Sequence, residues 1–156
     1  MTREEILRTL RATPERVHAL VRDLTPAALA RPPAPGEWSL GAIVNHLLLG
    51  ERDVILPRLQ RMRAEEAPVF GSSLADRSGF AAGPRAGDVA ADLAAFRRVR
   101  AETLTFLEGL SDGEWQRPGT TPTRGTLTIE AYARYLAEHD LEHIAQVEAT
   151  RARLAG

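Results

Sequence analysis

Apolar residues recur along this chain at steps of three and four, the period of helices that bury one face. Ile6, Leu7, Leu10, Val17, Leu20, Val21 and Leu24 make the first such run, and Thr2 with Glu5 ahead of it forms a capping-box pattern. The period predicts a long first helix. Pro14 falls inside it, where a missing amide donor and a crowded preceding turn should kink or interrupt it. Ser39, a good N-cap after Trp38, opens a second helix through Ile43, Val44, His46, Leu47, Val54, Ile55 and Leu59, with a kink expected near its end at Pro57. From about Ala64 to Gly87 the chain is rich in Ala, Gly, Pro and Ser without a sustained period, which reads as a long crossover loop. Asp88 then caps a third helix with an apolar face of Val89, Leu93, Phe96, Leu104, Leu107 and Leu110, Val99 lying at its margin. A fourth starts near Thr126 or Thr128 and carries Ile129, Tyr132, Leu136, His139, His143, Val147 and Leu154 on one broad face. No strand pattern emerges anywhere.

An internal echo organises these helices. Leu24-Thr25-Pro26-Ala27-Ala28-Leu29-Ala30-Arg31-Pro32 matches Leu110-Ser111-Asp112-Gly113-Glu114-Trp115-Gln116-Arg117-Pro118 in order: leucine, hydroxyl cap, short turn, large apolar residue, Arg-Pro. Ser39-Leu40, Ala42 and His46-Leu47 then match Thr128-Ile129, Ala131 and Tyr135-Leu136 at equal spacing. Two helical hairpins related by a pseudo-twofold and joined by the long loop account for this, as does chance similarity between helices. The expected fold is all-α: a four-helix bundle in one domain spanning residues 1–156, with the long crossover between helices 2 and 3.

Composition narrows the chemistry. A formal net charge of −1 offers no general attraction to a phosphate backbone, so nucleic-acid binding finds no support. No segment is apolar for long enough to span a membrane, and acids follow Met1-Thr2-Arg3 where a signal peptide would turn apolar, so a cytoplasmic chain is expected. All 20 basic residues are arginine, which excludes a lysine Schiff base or a P-loop lysine. Cysteine is absent, so any sulfur chemistry needs a thiol brought in by a cofactor or substrate.

His139 and His143 stand one helical turn apart and share a face, so their imidazoles can converge on one point. His46 is the candidate for a third ligand, and His18 is left over as a structural or exposed residue. The competing reading of such a pair is two hydrogen-bonded boundary histidines. The run is not the metalloprotease motif, which has glutamate directly after the first histidine where this chain has Asp140. Asp140 and Glu142 point away from the His139 face, which predicts solvent exposure or support of a ligand rather than water activation. Gln146 lies on the ligand face, either orienting a ligand, touching substrate or merely flanking the helix. Tyr132 and Tyr135 precede His139 by a turn or two; core packing is the simpler role for both, and Tyr135 with Gln146 are the only catalytic candidates beside the histidines.

The pattern Trp38-Ser39, His46-Leu47 and His139-Asp140-x-x-His143-x-x-Gln146, in that order and on helices 2 and 4, resembles the DinB-like superfamily over nearly the whole chain. The resemblance implies a four-helix bundle with one long crossover and a divalent metal, usually zinc or nickel, held by three histidines that fall here on His46, His139 and His143. It also implies chemistry such as thiol S-transfer with bacillithiol or mycothiol, and makes a homodimer plausible. Three neutral imidazoles leave one position on the metal open and its charge unquenched, so a bound thiol or water loses a proton near neutral pH. The leading expectation is therefore a metal-dependent low-molecular-weight-thiol S-transferase acting on a small molecule. Alternatives are a metal-dependent hydrolase and a non-enzymatic, stress-associated metal-binding module.

Three finer expectations concern the surroundings of that site. Gly50, one turn after His46, leaves room beside the metal or permits close helix packing. Phe70 and Phe80 either make the crossover loop a lid or staple it to the core. Arg8, Arg11, Arg16 and Arg22 on the first helix and Arg58, Arg61 and Arg63 on the second read as solvated faces, while an unidentified arginine near the metal mouth would pair with a substrate carboxylate.

Overall fold

Four long helical stretches arise where the apolar period predicts them. The computed structural model describes residues 1–72 and 88–155, so Phe80 and most of the expected crossover lie outside the described residues. Helix α1 (Arg3–Val21) begins at the expected capping box, with Glu5 N donating to Thr2 Oγ1 at 3.1 Å and Thr2 N to Glu5 Oε2 at 2.6 Å. Contrary to expectation it runs unbroken through Pro14. Proline cannot donate to the carbonyl of Leu10, four residues back. That oxygen instead accepts from Arg100 Nη1 at 2.8 Å, so the lost helical bond is replaced rather than left open.

The second stretch comprises α3 (Leu40–Gly50), a π-helical turn over Glu51–Ile55 and α4 (Leu56–Ala64). Ser39 Oγ caps it by accepting from Ala42 N at 3.1 Å. At Pro57 the helix widens in the turn before the proline rather than kinking at it: Leu56 N reaches back five residues to Glu51 O. A π-turn shifts the angular phase of what precedes it. Here Glu51 is turned into the core. The third stretch is α5 (Val89–Glu108), capped by Asp88, and the fourth is α7 (Ile129–Ala155), where Thr128 Oγ1 accepts from Ala131 N at 3.1 Å. No helix among the described residues is long and apolar enough to cross a membrane.

The echo in the sequence survives, and its hairpins do not. Thr25 and Ser111 each cap a one-turn helix, α2 (Pro26–Ala30) and α6 (Asp112–Trp115). Each following arginine caps the far end of a long helix: Arg31 Nη2 donates to Leu154 O at 3.1 Å, and Arg117 donates to Met62 O and Glu65 O at 3.0 and 2.9 Å. Yet α1 packs on α5 and α7, and α3 packs on α5 and α7. The first and second long stretches, and likewise the third and fourth, therefore lie diagonally, because each one-turn helix and its flanks carry the chain across the end of the bundle. Two apolar clusters fill the interior, one around Ile6, Leu10, Leu59, Met62, Leu107 and Leu136, the other around Val17, Ile43, Val44, Phe96, Ile144 and Val147.

The structure also contains strands, against expectation. β1 (Pro118–Thr121) and β2 (Gly125–Thr128) form an antiparallel hairpin with Thr121 opposite Gly125, and Gly125 closes the three-residue loop at φ +67°. Residues 68–70 dock alongside, with Phe70 N donating to Thr120 O and Thr120 N to Pro68 O at 2.8 and 2.9 Å. A Cβ on Gly119 would come within 2.7 Å of Met62 and 3.0 Å of Phe70, so glycine is what lets the hairpin sit down on α4. Four-residue strands of threonine and glycine lack the apolar alternation that marks longer ones.

Candidate metal centre

His46 comes from the middle of α3, and His139 and His143 from one face of α7. Their ring centroids stand 5.6 Å (46–139), 4.8 Å (46–143) and 4.2 Å (139–143) apart. One nitrogen from each lies within 4.8 Å of the others, so the three can hold a metal ion. The Nε2 atoms of His139 and His143 face each other at 2.9 Å, against about 3.3 Å for two nitrogens on one tetrahedral ion at ~2.0–2.1 Å. A few tenths of an ångström of rotamer movement would admit the ion. His18 is half-buried on α1 and takes no part in this group.

The surroundings favour the ligating form of the rings. Burial, and then the charge of His143, push His46 down to about 4. Burial first, then His143, His46, Arg124 and Arg100, push His139 down to about 3. Both are thus neutral around pH 7, the state in which imidazole binds metal. Gln146 Oε1 lies 2.8 Å from His143 Nδ1, so it accepts that proton and leaves Nε2 directed at the group. Trp38 packs edge-on against His46, their centroids 5.0 Å apart.

Beside the rings opens a cavity of about 190 Å³. His46, His139, Gly50, Tyr132 and Tyr135 line it, together with Glu51, Asp140, Arg58 and Arg124. A Cβ added to Gly50 would meet nothing within 4 Å, so close helix packing is not its role; it widens the cavity. Tyr132 is core-packed and accepts from Arg58 at 3.3 Å, whereas Tyr135 is half-buried, with its ring 5.4 Å from His139. Glu142 is exposed, as expected.

One expectation about charge fails here, and for Asp140 one of two alternatives does. Arg58 is not on the solvated face with Arg61 and Arg63; it is buried, donates to Gly71 O at 3.1 Å and lies with Arg61 against the ring of Phe70. Phe70 itself is buried, a staple to the core rather than part of a lid. Asp140 is not exposed at all. With Glu51 it encloses Arg100, the three side chains being 0%, 1% and 1% exposed. Arg100 donates to Glu51 Oε1 and Oε2 at 2.9 and 2.7 Å and to Asp140 Oδ2 and Oδ1 at 2.6 and 3.0 Å, and the Thr13 hydroxyl adds a bond to Asp140 at 2.6 Å. Burial alone would lower the guanidinium's pKa; Glu51 and Asp140 outweigh it and hold Arg100 above its ordinary value. Residues from all four long helical stretches meet here, and one of them, Asp140, directly follows His139 in the chain.

The DinB superfamily family model matches residues 9–147. The chain belongs to the DinB superfamily. Among solved structures it is similar to YfiT from Bacillus subtilis, described as a probable metal-dependent hydrolase with an unusual four-helix bundle topology. The two share 20% identity and superpose with a TM-score of 0.80, over 99% of this chain and 90% of that one. None of the curated proteins matches the sequence. At that identity the likeness to YfiT is one of fold.

Proposed function

We propose that this DinB-superfamily chain is a metal-dependent enzyme, with His46, His139 and His143 holding one divalent ion, zinc or nickel. The observation that carries this is the convergence of three imidazoles, from two helices, with His46 and His139 lining a cavity beside them. A bound ion of this kind supplies Lewis acidity, making a thiol or water nucleophilic near neutral pH. The chain's own residues do the rest. His143 is held in one tautomer by Gln146, Gly50 leaves space beside the rings, and the buried Glu51–Arg100–Asp140 group braces the helices that carry them. With no cysteine in the chain, a nucleophilic sulfur would come from a low-molecular-weight thiol such as bacillithiol or mycothiol, which makes S-transfer to a small electrophile the leading reading.

A hydrolase is the second reading, favoured by the description of YfiT. One experiment separates them: metal-loaded protein and its His46→Ala variant are assayed for consumption of these thiols with monochlorobimane and, in parallel, for ester hydrolysis. Metal-dependent thiol consumption lost in the variant supports S-transfer. Hydrolysis alone supports the second reading, and neither activity would refute an enzyme of either class.

A further inference from the structure

The hairpin that the apolar period did not reveal places one arginine over the cavity. Arg124 sits in the turn between β1 and β2, and its backbone N–H donates to Thr121 Oγ1 at 2.9 Å while Gly125 supplies the left-handed residue that closes the loop. The turn is therefore built rather than loose. The guanidinium carbon lies 3.2 Å from the centre of the Tyr135 ring, and that ring lies 5.4 Å from His139. One aromatic side chain thus separates an exposed cation from the candidate ligands.

Arg124 differs from its counterparts on the surface. Arg3, Arg11, Arg61, Arg63, Arg97 and Arg151 each bind a carboxylate; among the described residues Arg124, like Arg8, Arg22 and Arg98, has none, and of these four it alone lines the cavity. The two acids that line the cavity do not serve it either, because Glu51 and Asp140 are both bound to Arg100. A guanidinium held over an aromatic ring by cation–π attraction still has N–H donors to offer, and their fork matches the two oxygens of a carboxylate. Leu47, Val54, Ile55 and Leu136 contribute apolar surface to the lining of the same cavity.

We propose that Arg124, stacked on Tyr135, is the specificity-determining residue of this cavity and binds the carboxylate of a small molecule whose reacting end lies at the three imidazoles. A single exposed positive charge suits a monoanion better than a dianionic phosphate. The ligand is accordingly a small acid with an apolar middle and a thiol, ester or electrophilic carbon at its other end. This rests on the metal reading, and the test keeps the two apart.

Cobalt(II)-loaded protein is titrated with a series of ω-mercaptoalkanoates of increasing length and with the matching neutral mercaptoalcohols, following the sulfur-to-cobalt absorption band. The expected result is that one length of acid binds about tenfold more tightly than its alcohol, the scale of a charge-assisted pair at a half-open site. Arg124→Met abolishes this preference, Arg124→Lys keeps part of it, and Arg98→Met, an exposed change elsewhere, leaves it whole. Equal affinity for acids and alcohols in cobalt-loaded wild type, or a preference that persists in Arg124→Met, overturns the subsite and leaves the metal reading standing. A protein that takes up no cobalt overturns the metal reading and the subsite with it.

Discussion

Replacing Arg100 by methionine removes the one cation that three buried groups share while nearly preserving side-chain volume. Arg100→Met strands the carboxylates of Glu51 and Asp140 and the Leu10 carbonyl, which Pro14 already deprives of its helical donor. Breaking a buried ion pair by removing one partner costs roughly 3–5 kcal/mol, and an orphaned buried carbonyl adds about 1–3 kcal/mol. Proton uptake by one stranded carboxyl relieves part of this, so a net loss of about 4 kcal/mol is expected, a large share of the ~5–15 kcal/mol that holds a domain folded. Urea unfolding reads it directly: with a slope of ~2 kcal/mol/M the midpoint should fall by about 2 M. The combined change Glu51→Leu, Arg100→Met, Asp140→Leu should lie well above the single variant, because no charge is then left buried. A loss under about 1 kcal/mol for Arg100→Met, or a triple variant no better than the single, would refute the idea that these charges are mutually dependent.

Three further outcomes follow from local geometry. Gly50→Ala should raise stability by about 0.5–1 kcal/mol, since alanine is the better helix former and its Cβ meets nothing, whereas Gly119→Ala should lower it by forcing the hairpin off Met62 and Phe70; thermal midpoints moving the other way in either variant would contradict the packing described. Gln146→Leu, which removes the acceptor for His143 Nδ1, should weaken metal affinity by about tenfold or more in a competition titration, and unchanged affinity would show that the tautomer needs no such support. The Asp23 carboxyl, held down to about 2 chiefly by its hydrogen bond from Arg151, should titrate nearer 3.8 in Arg151→Met. A carboxylate held low favours the folded state above its unfolded value and loses that contribution as the pH falls towards 2, so acid unfolding should begin at a slightly higher pH in the variant. NMR titration of the Asp23 carboxyl checks the shift, and an unmoved midpoint would remove Arg151 as its cause.

The legible parts of this fold are those in which local chemistry and global packing agree. Thr2, Ser39, Asp88 and Thr128 cap helices where a side-chain oxygen precedes an apolar period, and burial follows that period closely. His139 and His143 face together because helix geometry alone makes them do so, and His46 reaches them through the packing of α3 against α7. What escaped has a physical reason in each case. The threonine-rich hairpin is too short for alternation to show. Pro14 and Pro57 signalled broken helices because their remedies, Arg100 and a π-turn, lie in distant residues or in the ladder itself. Arg100 did leave a trace: it occupies the same face as Leu93, Phe96, Thr103 and Leu107, a charge at a core position that calls for a buried acid. Which acids would answer it depends on the diagonal order of helices, and that order is invisible to local periodicity.

The account stands on three imidazoles forming one metal centre. Elemental analysis of protein purified without added metal tests this most directly, comparing wild type with His139→Ala and confirming by circular dichroism that both are folded. One divalent ion per wild-type chain, absent from the variant, is the predicted result. A folded wild type without stoichiometric metal, or a variant that keeps it, would contradict the account.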